Sequence, residues 1–153
     1  MWSETQMNLK DWESSGWLKP HKTSPKEISG LFKVVDRELS DAGQLVISID
    51  GRFAHAYQAA LQLCAVFLYS SGYKASRNSN HYRTIMAMPL ILGASRDADA
   101  KYLDTCRNKR NDAEYRMAGA ISKSDAEELL EFAIDFRKDA IKWLTENHPE
   151  LSR

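Results

Sequence analysis

The chain has 153 residues, about the length of one domain that buries a single core. Its 21 Lys and Arg residues balance 21 Asp and Glu residues, which excludes overall basicity as an argument for nucleic-acid binding but allows a local basic patch. The two cysteines cannot build a disulfide framework and favour buried thiols in a reducing compartment. Because neither a secretory leader nor a run of about 20 apolar residues is present, we expect a cytoplasmic protein without membrane contact.

Hydrophobic periodicity predicts helices along almost the whole chain. The tryptophans near the N-terminus favour an amphipathic helix that packs on the rest. The expected N-terminal caps of the later helices are Ser24, Ser48 or Asp50, Ser95 or Asp97, and Ser124. Pro25 suits a first helical position, and Glu27 would complete a capping box with Ser24. In the same way, Glu127 would complete one with Ser124.

Glycines and a proline mark the ends of these helices. Gly72 is suited to end the most apolar helix, and Pro89 should kink or end a short helix before Gly93. A break at residues 118–122 precedes the last helix. Residues 45–49 form the one β-rich run, which is too short and isolated to build a sheet.

The predicted fold is an all-α, single-domain, up-and-down bundle of five to six helices. Residues 1–22 are expected to form an N-terminal helical arm, residues 23–147 the bundle, and residues 148–153 a C-terminal tail. The histidines and cysteines lack metal-ligand spacing, and the sequence contains no Walker A pattern, Gly-rich dinucleotide turn or nucleophile elbow. We therefore expect no metal ion and no cofactor.

The segment 106–116, CRNKRNDAEYR, crowds three arginines, a lysine and two asparagines into one helix. At about 100° per residue, Arg110 falls on the same arc as the predicted core positions. These positions are Tyr102, Leu103, Cys106, Ala113 and Met117. An arginine on an apolar stripe is paired, reaches solvent with its head group, or lines a cleft, because an unpaired buried charge is costly.

Two interpretations of this arginine follow. In one, Arg110 bonds a carboxylate or helix-end carbonyls and only braces the bundle. In the other, the clustered donors of the segment bind phosphate oxygens, for which guanidinium and amide groups are well suited. These donors are Arg107, Asn108, Lys109, Arg110 and Asn111.

The same segment resembles the signature of HEPN domains (higher eukaryotes and prokaryotes nucleotide-binding), which are small all-α bundles. That signature is an Arg, usually followed by a polar residue such as Asn, with a His four to six residues further on. In KRNDAEY, Arg110 and Asn111 match its first two positions. The surrounding YLDTCRNKRNDAEYRMAG, together with AYQAALQLCAVFLYSSGYKAS and HYRTI, is similar to bacterial members, and the resemblance runs from about Gly51 to Leu144.

The signature His is absent, since its window holds Tyr115 instead. In ribonucleolytic relatives the His acts with the Arg on the 2′-hydroxyl and the scissile phosphate of RNA. An unperturbed phenol, with a pKa near about 10, is a poor general base, although Tyr115 could donate a hydrogen bond or stack on a base. His81 or His55 could reach the arginines through space if the fifth helix packs against it. The candidate catalytic residues are Arg110, Tyr115 and His81, and the candidate phosphate contacts are Arg107, Asn108, Lys109, Asn111 and Arg83.

The resemblance implies a homodimer whose two arginine clusters form one groove for RNA or a nucleotide. It also implies a toxin–antitoxin or defence context, with an antitoxin or a nucleotidyltransferase as partner. Because the motif His is missing, binding is favoured over metal-independent RNA cleavage. A second hypothesis is a non-catalytic protein-interaction module on the same fold. A third is a structural bundle in which the cluster forms salt bridges with Asp104, Asp112 and Glu114.

Overall fold

The computed structural model describes residues 8–77, 80–115 and 118–152, with the backbone alone for residues 114 and 115. Within these ranges the chain is an all-α bundle, as predicted. Its helices are α1 (Leu9–Ser14), α2 (Pro25–Ala42), α3 (Ile49–Ser70), α4 (Asn80–Leu92), α5 (Asp97–Tyr115) and α6 (Lys123–Asn147). The other elements are the strands β1 (Leu18–Pro20) and β2 (Tyr73–Ala75) and the 3-10 turns Ala94–Arg96 and Pro149–Leu151. None of the helices in these ranges is long and apolar enough to cross a membrane.

Helix α3 lies at the centre of the bundle and contacts α2, α4, α5 and α6. It is buried on almost every side, which explains why its sequence is apolar all round. Phe67 packs against Phe136 and Trp143 of α6, with ring centroids 5.4 and 5.0 Å apart. The core therefore forms around α3, and four neighbouring helices fix the position of any side chain on it.

The caps of α2 and α3 lie where the sequence predicts them. Ser24 accepts a hydrogen bond from the Glu27 N–H, and Ser48 caps α3. The capping box expected at α2 is wrong, because the Glu27 carboxylate turns to other partners. It accepts a hydrogen bond from Thr23 Oγ1 at 2.6 Å and lies 2.7 Å from His21 Nε2.

The predicted cap of α6 is wrong by two residues, since the helix is capped by Ser122 and not by Ser124. Ser122 Oγ accepts a hydrogen bond from the Asp125 N–H at 3.0 Å, and the Asp125 carboxylate accepts one from the Ser122 N–H at 3.1 Å. Asp125 therefore completes the capping box, a role that the sequence pattern predicted for Glu127. Ser124 is an exposed residue within the first turn.

The N-terminal segment contains the predicted short helix, α1, and a strand that the sequence did not predict. Strand β1 pairs antiparallel with β2, with Leu18 opposite Ala75. Trp12 of α1 and Leu18 are buried against Leu68 and Ala87, which attaches this segment to α3 and α4. Strands of three residues are too short to show a period of two, so hydrophobic alternation could not reveal them.

Helix α4 continues through Pro89 and ends at Leu92, so the proline does not end it. Gly93, with φ of 111°, adopts a conformation that favours glycine and terminates the helix. The 3-10 turn that follows contains Ser95, and α5 begins at Asp97 directly after the turn. Because this connection is short, α4 and α5 pack side by side, and the start of α4 lies beside the second half of α5.

Candidate functional site

Helix α5 packs through the face that the sequence predicts, with Leu103 and Cys106 buried. Arg110 lies on the edge of this face and is half-buried. Its guanidinium carbon is 5.5 Å from the ring centroid of Tyr57 on α3, and its Nη1 donates to Asn111 Oδ1 at 3.4 Å. The arginine among the core positions is therefore held over an aromatic face, where the ring quadrupole attracts the cation.

The imidazole of His81 lies beside the same tyrosine. His81 Nδ1 is 3.4 Å from the Tyr57 hydroxyl oxygen, and the two ring centroids are 6.2 Å apart. Burial lowers the pKa of His81, and the nearby charges of Arg110 and Arg107 lower it further. Both effects favour the neutral form of the His81 imidazole, although it lies among cations.

Tyr57 is fully buried, and burial raises the pKa of its hydroxyl above the ordinary value in spite of the opposing charges of Arg110 and Arg107. The hydroxyl therefore stays protonated and can either donate a hydrogen bond to His81 Nδ1 or accept one from it. If Nδ1 carries the imidazole proton, Nε2 has a free lone pair; if Tyr57 donates, Nε2 carries an N–H. The Tyr57 hydroxyl thus influences which tautomer His81 adopts.

An open cavity of about 370 Å³ lies next to His81. Its lining residues are Arg77, Asn80, His81, Tyr82, Arg107 and Asn111. The guanidinium carbon of Arg107 lies 5.6 Å from the ring centroid of Tyr82, and Arg107 Nε donates to Asp104 Oδ1 at 2.9 Å. Because Asp104 accepts the hydrogen bond from Nε–H, the remaining guanidinium donors of Arg107 are on its two terminal nitrogens.

The cavity offers donors and cations to a ligand, since none of the residues that line it in the described part of the chain carries a carboxylate. Arg77 and Arg107 supply positive charge, and Asn80 and Asn111 supply amide groups. Tyr82 is 40 % exposed and presents an aromatic ring at the same place. This combination suits an anion with a planar group attached, because guanidinium binds phosphate and an exposed ring stacks on a base.

The structure brings together some of the predicted site residues. Arg107, Asn111 and His81 line one cavity, and Arg110 contacts the tyrosine that approaches His81. These four residues come from the two helices, α4 and α5, that the sequence could not place relative to one another. The packing of α4 against α5 therefore brings His81 close to the arginines, which the sequence analysis named as the requirement for a role of this histidine.

Other predicted site residues lie elsewhere. Asn108 and Lys109 are exposed, and Lys109 Nζ is 3.4 Å from Asp125 Oδ2. The guanidinium carbon of Arg83 lies 5.1 Å from the ring centroid of Trp17, and Arg83 is not among the residues that line the cavity. Helical geometry explains both results, because residues adjacent in sequence point about 100° apart.

The structure also bears on the predictions for His55, for Tyr115 and for an ion pair with Asp104. His55 does not reach the arginines, because its Nδ1 lies 2.5 Å from Glu38 Oε2 on α2. The side chain of Tyr115, proposed in place of the motif His, lies outside the described part of the structure, as does Met117. The suggested ion pair between the cluster and Asp104 is present, since Arg107 Nε bonds that carboxylate.

Sequence reasoning assigned no site role to Tyr57, Tyr82 or Asn80. Tyr57 resembles an ordinary core residue because it falls on the apolar face of α3. Asn80 and Tyr82 flank His81 in sequence, so a search that started from His81 could have included them. The contact between Tyr57 and Arg110 depends on the packing of α3 against α5, which no local pattern encodes.

No protein-family model, curated protein or solved structure matches this chain. The HEPN resemblance therefore remains a prediction from the residues around Arg110.

Proposed function

We propose that the cavity between α4 and α5 binds phosphate groups of RNA or of a nucleotide. The observation that carries the proposal is the convergence of Arg107, Asn111 and His81 on one open cavity, whose described lining contains no carboxylate. Its volume of about 370 Å³ falls within the ordinary range for small-ligand sites. A phosphate bound there would receive charge-assisted hydrogen bonds from the terminal nitrogens of Arg107.

The exposed ring of Tyr82 supports a ligand that carries a base. Tyr82 is 40 % exposed and lies beside Arg107, so a base stacked on the ring would hold its own phosphate near the guanidinium. Free phosphate would use the arginine but gain nothing from the ring. We therefore expect a nucleotide to bind more tightly than inorganic phosphate.

Binding is tested by fluorescence anisotropy with a labelled single-stranded RNA at low salt. Arg107→Ala should weaken binding about tenfold, because it removes a charged phosphate contact. Arg137 is a matched control, since its guanidinium also bonds a carboxylate, Asp36, and lies over an aromatic ring, Phe32. Arg137→Ala should leave the affinity unchanged. Equal losses in the two variants would contradict the proposal.

Competition against the labelled RNA distinguishes a nucleotide ligand from a longer RNA. A mononucleotide that displaces the RNA would show that the cavity alone accounts for recognition. Displacement by longer RNA only would show that the polymer contacts additional surface. Binding of neither, in a protein that stays folded, would contradict the proposal and leave the protein-interaction module as the working hypothesis.

The geometry also favours a second function at the same site, metal-independent cleavage of bound RNA. His81 is neutral, so in the tautomer with Nδ1 protonated its Nε2 could accept the proton of a 2′-hydroxyl. The 2′-oxygen would then attack the adjacent phosphorus to form a 2′,3′-cyclic phosphate, the bond to the 5′-oxygen would break, and that oxygen would take a proton from water, while Arg107 would stabilise the additional negative charge. Cleavage in EDTA by the wild type, lost in His81→Gln while RNA binding persists, would establish this activity; binding without cleavage would refute it.

We further propose that the protein acts as a homodimer. A single cavity of this size accommodates about one nucleotide, whereas a paired site from two copies would contact a longer stretch of RNA. Light scattering at micromolar concentration tests the proposal directly. A mass of twice the 17.4 kDa chain is expected, and a monomer would contradict it.

A further inference from the structure

Three potential metal ligands meet on the side of the bundle where α2 packs against α3. Glu38 and Asp41 are one helical turn apart on α2, and His55 faces them from α3. One ligand atom from each residue lies within 4.8 Å of the other two. Helices α2 and α3 pack extensively along this contact, so the three residues stand on a rigid support.

The side chain of Glu38 is held in one orientation. Glu38 is only 7 % exposed, its Oε1 accepts a hydrogen bond from Arg37 Nη2 at 2.9 Å, and its Oε2 lies 2.5 Å from His55 Nδ1. Arg37 thus occupies one carboxylate oxygen and leaves the other directed at the imidazole. Second partners of this kind orient the ligating groups of metal sites.

The hydrogen-bonded pair of Glu38 and His55 does not explain why the Asp41 carboxylate lies beside it. Its half-buried carboxylate lies within 4.8 Å of the ligand atoms of Glu38 and His55. Within the described part of the chain, no side chain or backbone N–H donates to it. A brace between α2 and α3 needs only Glu38 and His55, whereas a metal ion needs the third ligand.

We propose that Glu38, Asp41 and His55 bind a divalent transition-metal ion of the Zn²⁺ class. One imidazole nitrogen and two carboxylate oxygens form a ligand set that such ions accept. Zn²⁺ lies about 2.0–2.2 Å from these ligands, so two of them can be at most about 4.4 Å apart, which small side-chain rotations achieve here. Asp41 and His55 are both partly exposed, so an ion can enter and keep water in its remaining positions.

The site is separate from the cavity that contains Arg107. His55 and Tyr57 are two residues apart on α3 and therefore point to different sides of the helix. The sequence could not reveal this group, because its members come from two helices and Glu38 and Asp41 resemble ordinary acidic positions.

The test measures the melting temperature of the metal-free protein with and without Zn²⁺, together with the visible absorption of bound Co²⁺. Zn²⁺ in hundredfold excess over its dissociation constant should raise the melting temperature by about 5 °C or more. Asp41→Asn should weaken binding at least tenfold with little effect on the metal-free protein, because no described residue donates a hydrogen bond to the Asp41 carboxylate. His55→Gln should abolish the Co²⁺ absorption.

His21→Gln is the matched control, since His21 also pairs with a carboxylate, Glu27, but no third ligand lies beside this pair among the residues that the structure describes. It should retain the full response to Zn²⁺. Absence of any metal effect on the wild type would overturn the proposal. So would an undiminished response in both Asp41→Asn and His55→Gln, because the ion would then bind elsewhere.

Discussion

The guanidinium of Arg110 lies over the ring of Tyr57, 5.5 Å from its centroid, and the hydroxyl of the same tyrosine is 3.4 Å from His81 Nδ1. Tyr57 therefore connects the arginine on the inner face of α5 to the imidazole at the start of α4. This relationship explains how a charged residue occupies an apolar arc, and it places a neutral histidine beside an arginine-lined cavity.

The contact between Arg110 and Tyr57 should stabilise the fold measurably. In a double-mutant cycle with Arg110→Ala and Tyr57→Leu, we expect a coupling energy of about 1 kcal/mol, since Tyr57 is fully buried and Arg110 half-buried. The more exposed pair of Arg107 and Tyr82 should couple more weakly. Denaturant unfolding of the single and double variants measures both values. Strict additivity at the first pair would show that the two groups do not interact.

His81 should make stability depend on pH. Its pKa in the folded protein is lower than the ordinary value of 6.5, so the unfolded chain binds the proton more readily. The free energy of unfolding should therefore fall as the pH drops from about 6.5 towards the lowered pKa, and His81→Gln should reduce that slope. Unfolding measured between pH 7.5 and 5, at roughly half-unit steps, checks the direction. A steeper slope in the variant would contradict the assignment.

Ligand binding should raise the pKa of His81. A phosphate in the cavity offsets the positive charges of Arg107 and Arg110, which are among the causes of the lowered value. NMR titration of the imidazole, with and without a saturating nucleotide, should show the midpoint move to higher pH. An unchanged midpoint with the ligand bound would place the phosphate away from this histidine.

The two serines at the start of α6 should differ in their contribution to stability. Ser122 Oγ accepts a backbone hydrogen bond at the helix terminus, so Ser122→Ala should cost about 1 kcal/mol. Ser124 is exposed within the first turn, and Ser124→Ala should change stability by less than about 0.5 kcal/mol. Chemical denaturation of both variants makes the comparison. The opposite ranking would restore the cap that the sequence pattern favoured.

Local patterns predicted the fold well where one residue decides the outcome. The cap Ser24 and the inner face of α5 follow from the order of residues along the chain, and Ser48 is one of the two caps predicted for α3. The pattern failed at α6 because Ser122 and Ser124 both precede an acidic residue at capping-box spacing. Sequence alone could not choose between them.

The site was only partly predictable for a different reason. The donors near Arg110 are visible as a cluster in the sequence, but which of them share a surface depends on helix packing. Arg107 and Lys109, which are two residues apart, point to different surfaces: Arg107 lines the cavity and Lys109 lies beside Asp125. The proximity of His81 arises from the packing of α4 against α5, and that of Tyr57 from the packing of α3.

The salt dependence of RNA binding shows whether the cavity between α4 and α5 holds a phosphate group. Affinity for a single-stranded RNA should fall linearly on a plot of log K against log salt concentration, because bound phosphates release counterions. Arg107→Ala should reduce the magnitude of the slope by about 0.7, the value for one phosphate contact on a single strand, whereas Arg137→Ala should leave it unchanged. An affinity that does not change with salt concentration, or identical slopes for the wild type and Arg107→Ala, would contradict a phosphate site in this cavity.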